Sequence, residues 1–263
     1  MNRLQIKIDG VGFSYASMPV LKDITLELGG SKLVCILGPN GVGKSTLIHC
    51  INKILTPTAG HVLIEEVDVQ NIKSKKMAKI VGYVPYAAND TFPLSVVDTV
   101  LMGRHPYSKM GTLYKDLDIV YATLARLGIS HLALRPFSSL SAGQHQKVAL
   151  ARGLVQEPRI LLLDEPTSNL DIRHQLEVTR MLKDLSREKD MLVIMISHDI
   201  NISAKFSDEI VMMHDGGIYA VGKPIDVINE ENLETVYGVK SRIVVEDGAP
   251  YVILKDAVPM NEV

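Results

Sequence analysis

The densest chemistry in the chain lies in one glycine-rich run, Gly38-Pro39-Asn40-Gly41-Val42-Gly43-Lys44-Ser45-Thr46. Its spacing, G-x-x-x-x-G-K-[ST], predicts a phosphate cradle: the glycines let the backbone close in, so that successive N–H groups point at phosphate oxygens. Lys44 adds a full positive charge near the β- and γ-phosphates, and the Ser45 hydroxyl can ligate Mg2+. Farther along, Asp164-Glu165-Pro166 follows the apolar run Ile160 to Leu163, and His198 follows the apolar run Met191 to Ile196. Asp164 is expected to face a metal shell, Glu165 an attacking water as general base, and His198 a γ-phosphate oxygen. Taken alone, the Asp-Glu-Pro triplet equally suits a helix cap and first turn, and a lone His an exposed loop. Combined with the phosphate run, the catalytic reading is preferred.

Such groups need rigid elements behind them. The phosphate run lies between the apolar stretch Leu33 to Leu37 and a helical stretch from Thr46 to Ile54, so a strand delivers it and a helix N-terminus adds partial positive charge. Leu33 to Leu37, Ile80 to Val84, Ile160 to Leu163 and Met191 to Ile196 lack polar alternation, the pattern of parallel strands covered on both faces. Their carboxyl ends form the edge at which open α/β sheets bind ligands. Upstream, Leu4, Ile6 and Ile8 alternate, as do Ile24, Leu26 and Leu28 before a Gly29-Gly30 turn, which predicts antiparallel strands with one buried face. Ile172 to about Glu188 reads as a helix with Val178, Met181, Leu182 and Leu185 inward. From about Ala87 to Gln156 no strand is predicted, and helices are expected at Val96 to Met102, Lys115 to Leu127 and Gln144 to Val155. After Gly222 come two short helices near Asp226 and Asn232 and a hairpin, Arg242 to Glu246 and Tyr251 to Lys255, turning at Asp247-Gly248.

Composition narrows the function. A chain of 263 residues buries roughly 70–75% of its unfolded surface, so a full core is available. Thirty acidic against 28 basic residues give a net charge of −2, which offers no field drawing the whole chain to nucleic acid or anionic lipid, and no nucleic-acid partner is expected. No apolar run reaches the about eighteen residues of a membrane span, and Met1 to Tyr15 lacks the apolar stretch of a signal peptide, so a cytoplasmic location is expected. Cys35 and Cys50 sit in apolar segments without metal-ligand spacing and are expected to be buried free thiols. With 46% hydrophobic residues and neither heptads nor triplets, disorder, coiled coil and collagen are excluded.

Leu140-Ser141-Ala142-Gly143-Gln144-His145-Gln146-Lys147, lying between the phosphate run and Asp164, resembles the signature motif of ATP-binding-cassette (ABC) ATPases. Ser141 and the N–H groups around Gly143 would open a helix through Val148, Ala151 and Val155 and form a second anion site. The resemblance covers nearly the whole chain. It implies an α/β fold, with a RecA-like P-loop NTPase core, an antiparallel β subdomain and an inserted α-helical subdomain. The chain would be one domain over residues 1–263: core and β subdomain at about 1–86 and 157–222, helical subdomain at about 87–156, and a tail at about 223–263. The resemblance implies ATP and Mg2+ as ligands. Tyr15 would stack on adenine; Gly38, Pro39, Asn40, Gly41, Gly43, Lys44, Ser45 and Thr46 would hold the triphosphate; Ser45 and Asp164 would hold the metal; and Glu165, His198 and Lys44 would serve catalysis. In this family two copies sandwich two ATP molecules, so Ser141, Gly143 and Gln144 of one copy would meet the nucleotide on the phosphate run of the other, with Ser168-Asn169-Leu170-Asp171 crossing the interface.

Three further segments, Val97 to Arg104, Leu170 to Gln175 and Leu233 to Val239, look like the cassettes of iron-chelate, haem and cobalamin importers. That likeness implies integral membrane permease subunits docked near the loop from Tyr86 to Ser95, an extracytoplasmic substrate-binding protein, and a peripheral place on the inner face of the cell membrane. The alternatives are an ABC subunit for a different cargo, a soluble ABC ATPase of DNA repair, translation or cluster assembly, or a kinase or switch using the phosphate run alone. The soluble class usually shows two cassettes, a long coiled-coil insert or a basic stripe, and the sequence has none of these; a kinase would leave Ser141 to Gln144 idle. The sequence also departs from the family pattern. Tyr86 stands where Gln is usual, and Ala142 and His145 where Gly and Arg are commoner. A protonated phenol is a poorer hard-cation ligand than an amide carbonyl, so the metal is expected to keep a water at Tyr86.

Overall fold

The computed structural model describes residues 5–86, 94–107 and 112–258. Leu4 of the first predicted strand and most of the expected docking loop, residues 87–93, lie outside them. Strand β1 (Gln5–Tyr15) runs antiparallel to β2 (Met18–Gly29), with Ile6 opposite Leu28 and Ile8 opposite Leu26. The alternating apolar residues of both strands are buried, as their period of two requires. The chain then makes β3 (Leu33–Leu37) and α1 (Lys44–Ile51), and returns to the first sheet with β4 (Ala59–Ile64) and β5 (Val67–Asp68), in the order β2-β1-β4-β5. Helix α1 begins at Lys44 and stops short of the predicted Ile54, because Lys53 turns left-handed at φ 59°.

Helix α2 (Ser74–Ile80) leads into β6 (Val81–Val84), and α3 (Val96–Leu101), α4 (Leu113–Arg126) and α5 (Ala142–Leu154) follow before the next strand, β7 (Ile160–Leu163). Helix α6 (Ile172–Glu188), β8 (Leu192–Ile196), α7 (Ile200–Phe206), β9 (Glu209–His214) and β10 (Gly217–Gly222) complete a second sheet in the order β10-β9-β3-β8-β7-β6. Its strands β9, β3, β8, β7 and β6 are parallel, and only β10 pairs antiparallel. Sequence periodicity missed β4, β5, β9, β10, α2 and α7, which are all seven residues or fewer.

The parallel strands show why their sequences do not alternate. Leu33, Cys35, Leu161, Leu163, Val193 and Met195 join one apolar cluster with α4, α5 and α6, whereas Val34, Ile36, Ile160, Leu162, Ile194 and Ile196 join another with α1 and the first sheet. Both faces are covered, so both phases of the alternation are apolar. Cys35 and Cys50 are buried and free, as expected. The tail adds α8 (Pro224–Val227), α9 (Glu230–Tyr237) and the hairpin β11 (Val239–Glu246) and β12 (Ala249–Ala257), which turns through Asp247 and Gly248, both at positive φ. Among the described residues no helix is long and apolar enough to cross a membrane.

Candidate functional site

Residues 38 to 43 form the link between β3 and α1, at the carboxyl edge of the six-stranded sheet. Two of its glycines answer to steric demand. A Cβ on Gly38 would stand 2.5 Å from the Met213 carbonyl oxygen of β9, and one on Gly43 would stand 2.7 Å from Leu21 Cδ2 of β2, each at a positive φ that side chains avoid. Gly43 is also the N-cap of α1 and supplies no side-chain cap, so no N-cap side chain competes for the first amides of the helix. Lys44 is buried, and its Nζ donates to the Gly38 and Pro39 carbonyls at 2.7 and 2.8 Å. Burial holds the Lys44 ammonium below its ordinary pKa, against the opposing pull of Glu165 and Asp164.

Strand β7 brings its carboxylates to the same edge. Asp164 accepts a hydrogen bond from Ser45 Oγ at 3.1 Å, and Glu165 Oε1 lies 2.5 Å from His198 Nε2. The two acids diverge because Glu165 takes a left-handed φ of 49°, a strained backbone of the kind that clusters at functional sites. The triplet does not cap a helix: the next one is α6, whose N-cap is Asp171, with its side chain accepting from the His174 amide at 2.9 Å. Burial raises the Asp164 pKa above the usual carboxylate value, with the Ser45 hydrogen bond pulling the other way. A hydroxyl and a carboxylate in contact form an all-oxygen pair of the kind that hard divalent cations accept.

Two neighbours of Asp164 escaped the sequence reading. His49 Nε2 lies 2.9 Å from the Tyr83 hydroxyl, and His49 lowers the Asp164 pKa. Burial, then the Asp164 charge, pushes the Tyr83 phenol up to about 12. His49 follows Ser45 by one helical turn on α1, the i, i+4 spacing that places both on one face, and this spacing was the signal available.

Ser141, Gly143 and Gln144 lie elsewhere. Ser141 caps α5 in a reciprocal box: the Gln144 amide donates to Ser141 Oγ at 3.4 Å, and the Ser141 amide donates to Gln144 Oε1 at 3.0 Å. They line an open cleft of about 430 Å3 with Lys147, Asn169 and Asp171, and none of residues 38–46 contributes to it. The structure therefore brings together Lys44, Ser45, Asp164, Glu165 and His198, and sets the Ser141 group apart. Tyr15 ends β1 half exposed, its ring edge-on to Phe13 at 4.9 Å, and Tyr86 is exposed.

This arrangement has counterparts among known proteins. The family model described as ABC transporter matches residues 21–168. The chain belongs to that family. It is an ATP-binding, ATP-hydrolysing subunit with the ABC ATPase fold. An uncharacterized ABC transporter ATP-binding protein of Methanocaldococcus jannaschii is 44% identical over 253 residues, which cover 96% of this chain and 99% of that protein. A cobalamin import ATP-binding protein of Halobacterium salinarum is 35% identical over 89% of this chain and 59% of its own length, so the chain spans little more than half of that relative. A hemin import ATP-binding protein of Bordetella avium is 37% identical over 85% of this chain and 88% of its own. Among solved structures, a chain of a metal-chelate type ABC transporter in an inward-facing conformation superposes with a TM-score of 0.82, at 26% identity and with 97% and 98% of the two chains covered. A dimeric bacterial ABC transporter cassette superposes at 0.76, at 28% identity and with 83% and 98% covered.

Proposed function

We propose that this ATPase subunit works as a homodimer beneath integral membrane permease subunits, on the inner face of the cell membrane, and energises uptake of an iron chelate, haem or cobalamin delivered by an extracytoplasmic substrate-binding protein. One observation carries the mechanism: the phosphate loop, Ser45–Asp164 and Glu165–His198 meet at one edge, while the Ser141 cleft stands apart from them. Each half is incomplete within one chain. A second copy, placing its Ser141 and Gly143 amides over the first copy's triphosphate, completes the pocket. The cargo class rests on the cobalamin and hemin import functions of the relatives and on the metal-chelate transporter neighbour.

In this reading Tyr15 stacks on adenine and the loop amides, with Lys44, cradle the phosphates. Ser45 and Asp164 are the protein ligands of Mg2+, which when bound neutralises charge developing on the phosphates. Glu165 takes the proton of the attacking water. His198, in contact with the Glu165 carboxylate, orients it and donates to the γ-phosphate. The residues from about 87 to 156 serve as the helical subdomain that meets the permease, with core and β subdomain before and after it and the tail beyond about residue 222.

Closure is a matter of differential affinity: moving a 1:99 equilibrium to 99:1 takes about 5.5 kcal/mol of preference for the closed dimer. Glu165→Gln should bind ATP normally, hydrolyse it at least about a hundredfold more slowly, and run as a stable dimer in size-exclusion chromatography only with ATP present. Rapid turnover with no ATP-dependent dimer would refute the assignment. Capture of a permease from detergent-solubilised membranes, followed by transport assays with a panel of chelates, tests the cargo.

A further inference from the structure

A cavity of about 410 Å3 opens between α4, α5 and α6, at the amino edge of the six-stranded sheet. Arg159 and Met191, which line it, immediately precede β7 and β8, whereas the nucleotide residues gather where those strands end. Its floor is apolar: Leu185 and Met191 are buried members of the cluster that α4, α5 and α6 share, and Leu154 packs against that cluster. Its rim carries three exposed cations, Arg126, Arg159 and Lys189. Arg126 pairs with Glu188 and Arg159 with Glu65, acids that do not line the cavity, and the lining acid Glu157 accepts from Arg104 at 2.8 Å. Lys189 makes no ion pair among the described residues.

We propose that this cavity binds a small amphipathic monocarboxylate, its apolar body on Leu154, Leu185 and Met191 and its carboxylate on Lys189. The complement of an apolar floor beneath one unpaired cation is an apolar body with a single anionic head. An arginine has five N–H donors, so Arg126 and Arg159 keep donors for that head beyond those given to Glu188 and Glu65. The volume lies at the small end of ligand pockets, which suits one short chain or ring system rather than a partner's helix. None of residues 38–46 lines the cavity, so the site stands independently of the ATP cradle. An occupant touches α4, the α5–β7 link and the α6–β8 link together, and so ties the helices ahead of β7 to the sheet.

Octanoate, below its micelle-forming concentration, is the probe. Isothermal titration of the full chain should show one site with a Kd below about 1 mM, and 1-octanol, which keeps the chain and lacks the charge, should bind at least about fivefold more weakly. Lys189→Ala should weaken octanoate about five- to tenfold and leave octanol within about twofold, the mark of a charge-assisted hydrogen bond. Ala122→Trp, at an exposed position on the cavity wall, should fill the space and abolish both, with Tm and the affinity for a fluorescent mant-ATP kept at the parent's values. Hydrogen exchange of segments 119–126 and 185–191 should slow in octanoate. Should Ala122→Trp fail to fold, Lys189→Ala and the exchange map still decide. No octanoate binding, undiminished affinity in Lys189→Ala or in a folded Ala122→Trp, or protection confined to other segments overturns the proposal. Phosphatidylglycerol vesicles that retain the parent and release Lys189→Ala, with free octanoate unbound, would assign the face to a membrane and overturn it as well.

Discussion

The two helix N-termini that the proposed mechanism assigns to phosphate, those of α1 and α5, are built differently. Helix α1 has a glycine N-cap with no side-chain acceptor, so no cap side chain competes for its first amides, and the lysine at its first position is buried against loop carbonyls and two acids. Helix α5 has a serine cap closed by its own Gln144, is exposed at its first residues though buried farther along, and borders a cleft lined by Lys147 and Asp171 and by none of residues 38–46. On the proposed reading the first cradle is preorganised to hold a nucleotide by itself. The second satisfies its own amides, and on the proposed reading it exchanges the 3.4 Å contact between the Gln144 amide and Ser141 Oγ, a long hydrogen bond, for a phosphate that a partner presents. A tight site and an exchangeable one, on separate helices, are what a dimer that opens and closes requires.

The comparison can be broken most forcibly at the far end of α5. Arg104 is buried; it donates to Asp116 at 2.8 Å, to Glu157 at 2.8 Å and to the carbonyl of Val155, the C-cap of α5, at 2.7 Å, while Tyr107 lies under its guanidinium at 4.3 Å. Asp116→Ala leaves that cation short of a partner, at a cost of about 3 kcal/mol, which corresponds to a Tm loss of about 6–12 °C. Because the strain falls on α5, the ATP-dependent dimer of the Glu165→Gln background should weaken far more than mant-ATP binding by the single subunit. Equal losses in both would show that the two cradles are not separable. Lys44→Ala comes next, aimed at the other cradle: mant-ATP affinity should fall about ten- to hundredfold through loss of charge-assisted hydrogen bonds, with no loss of Tm because burial already disfavours this cation. Ser141→Ala removes a cap worth about 1 kcal/mol and should lower dimer formation while leaving single-subunit affinity within about twofold. If Ser141→Ala instead lowers binding by the single subunit, the assignment of Ser141 to the partner's nucleotide fails.

Parts of this contrast could be read from residue order alone, and parts could not. The phosphate run is contiguous, and Asp164, Glu165 and His198 each follow an apolar strand, so their meeting at one edge needed only the rule that parallel strands share a carboxyl end. Helix α6 was found with its ends intact because its apolar stripe is long and Asp171 caps it. Asp164 and Glu165 are given different partners by the sequence, but their divergence comes from the left-handed turn at Glu165, after β7 has ended at Leu163. Strand β9, whose Met213 crowds Gly38, was missed, since a run as short as Ile210 to Met213 has too few residues to declare a period. The contact of Tyr83 with His49 joins residues far apart in the chain, and only packing puts them together.

The smallest expected effect separates the cradles by pH. Burial raises the Asp164 pKa, so the folded protein holds that proton to higher pH than the unfolded chain does. Its contribution to stability is therefore complete below the ordinary carboxylate range and is lost as pH rises through the raised value, which leaves the ionised group working against the fold at neutral pH. Asp164→Asn keeps an oxygen for the Ser45 hydroxyl and removes the charge. In nucleotide-free protein it should raise Tm by about 2 °C near pH 7, a gain that shrinks toward pH 4, while hydrolysis is lost. The exposed α5 cradle holds no buried carboxylate, so the Tm deficit of Ser141→Ala should be constant over the same range. Differential scanning fluorimetry from pH 4 to pH 8 on the parent and both variants decides the matter: if the Asp164→Asn curve runs parallel to the parent, the catalytic edge stores no electrostatic strain, and the contrast between a tight, costly cradle and an open, self-satisfied one loses its energetic basis.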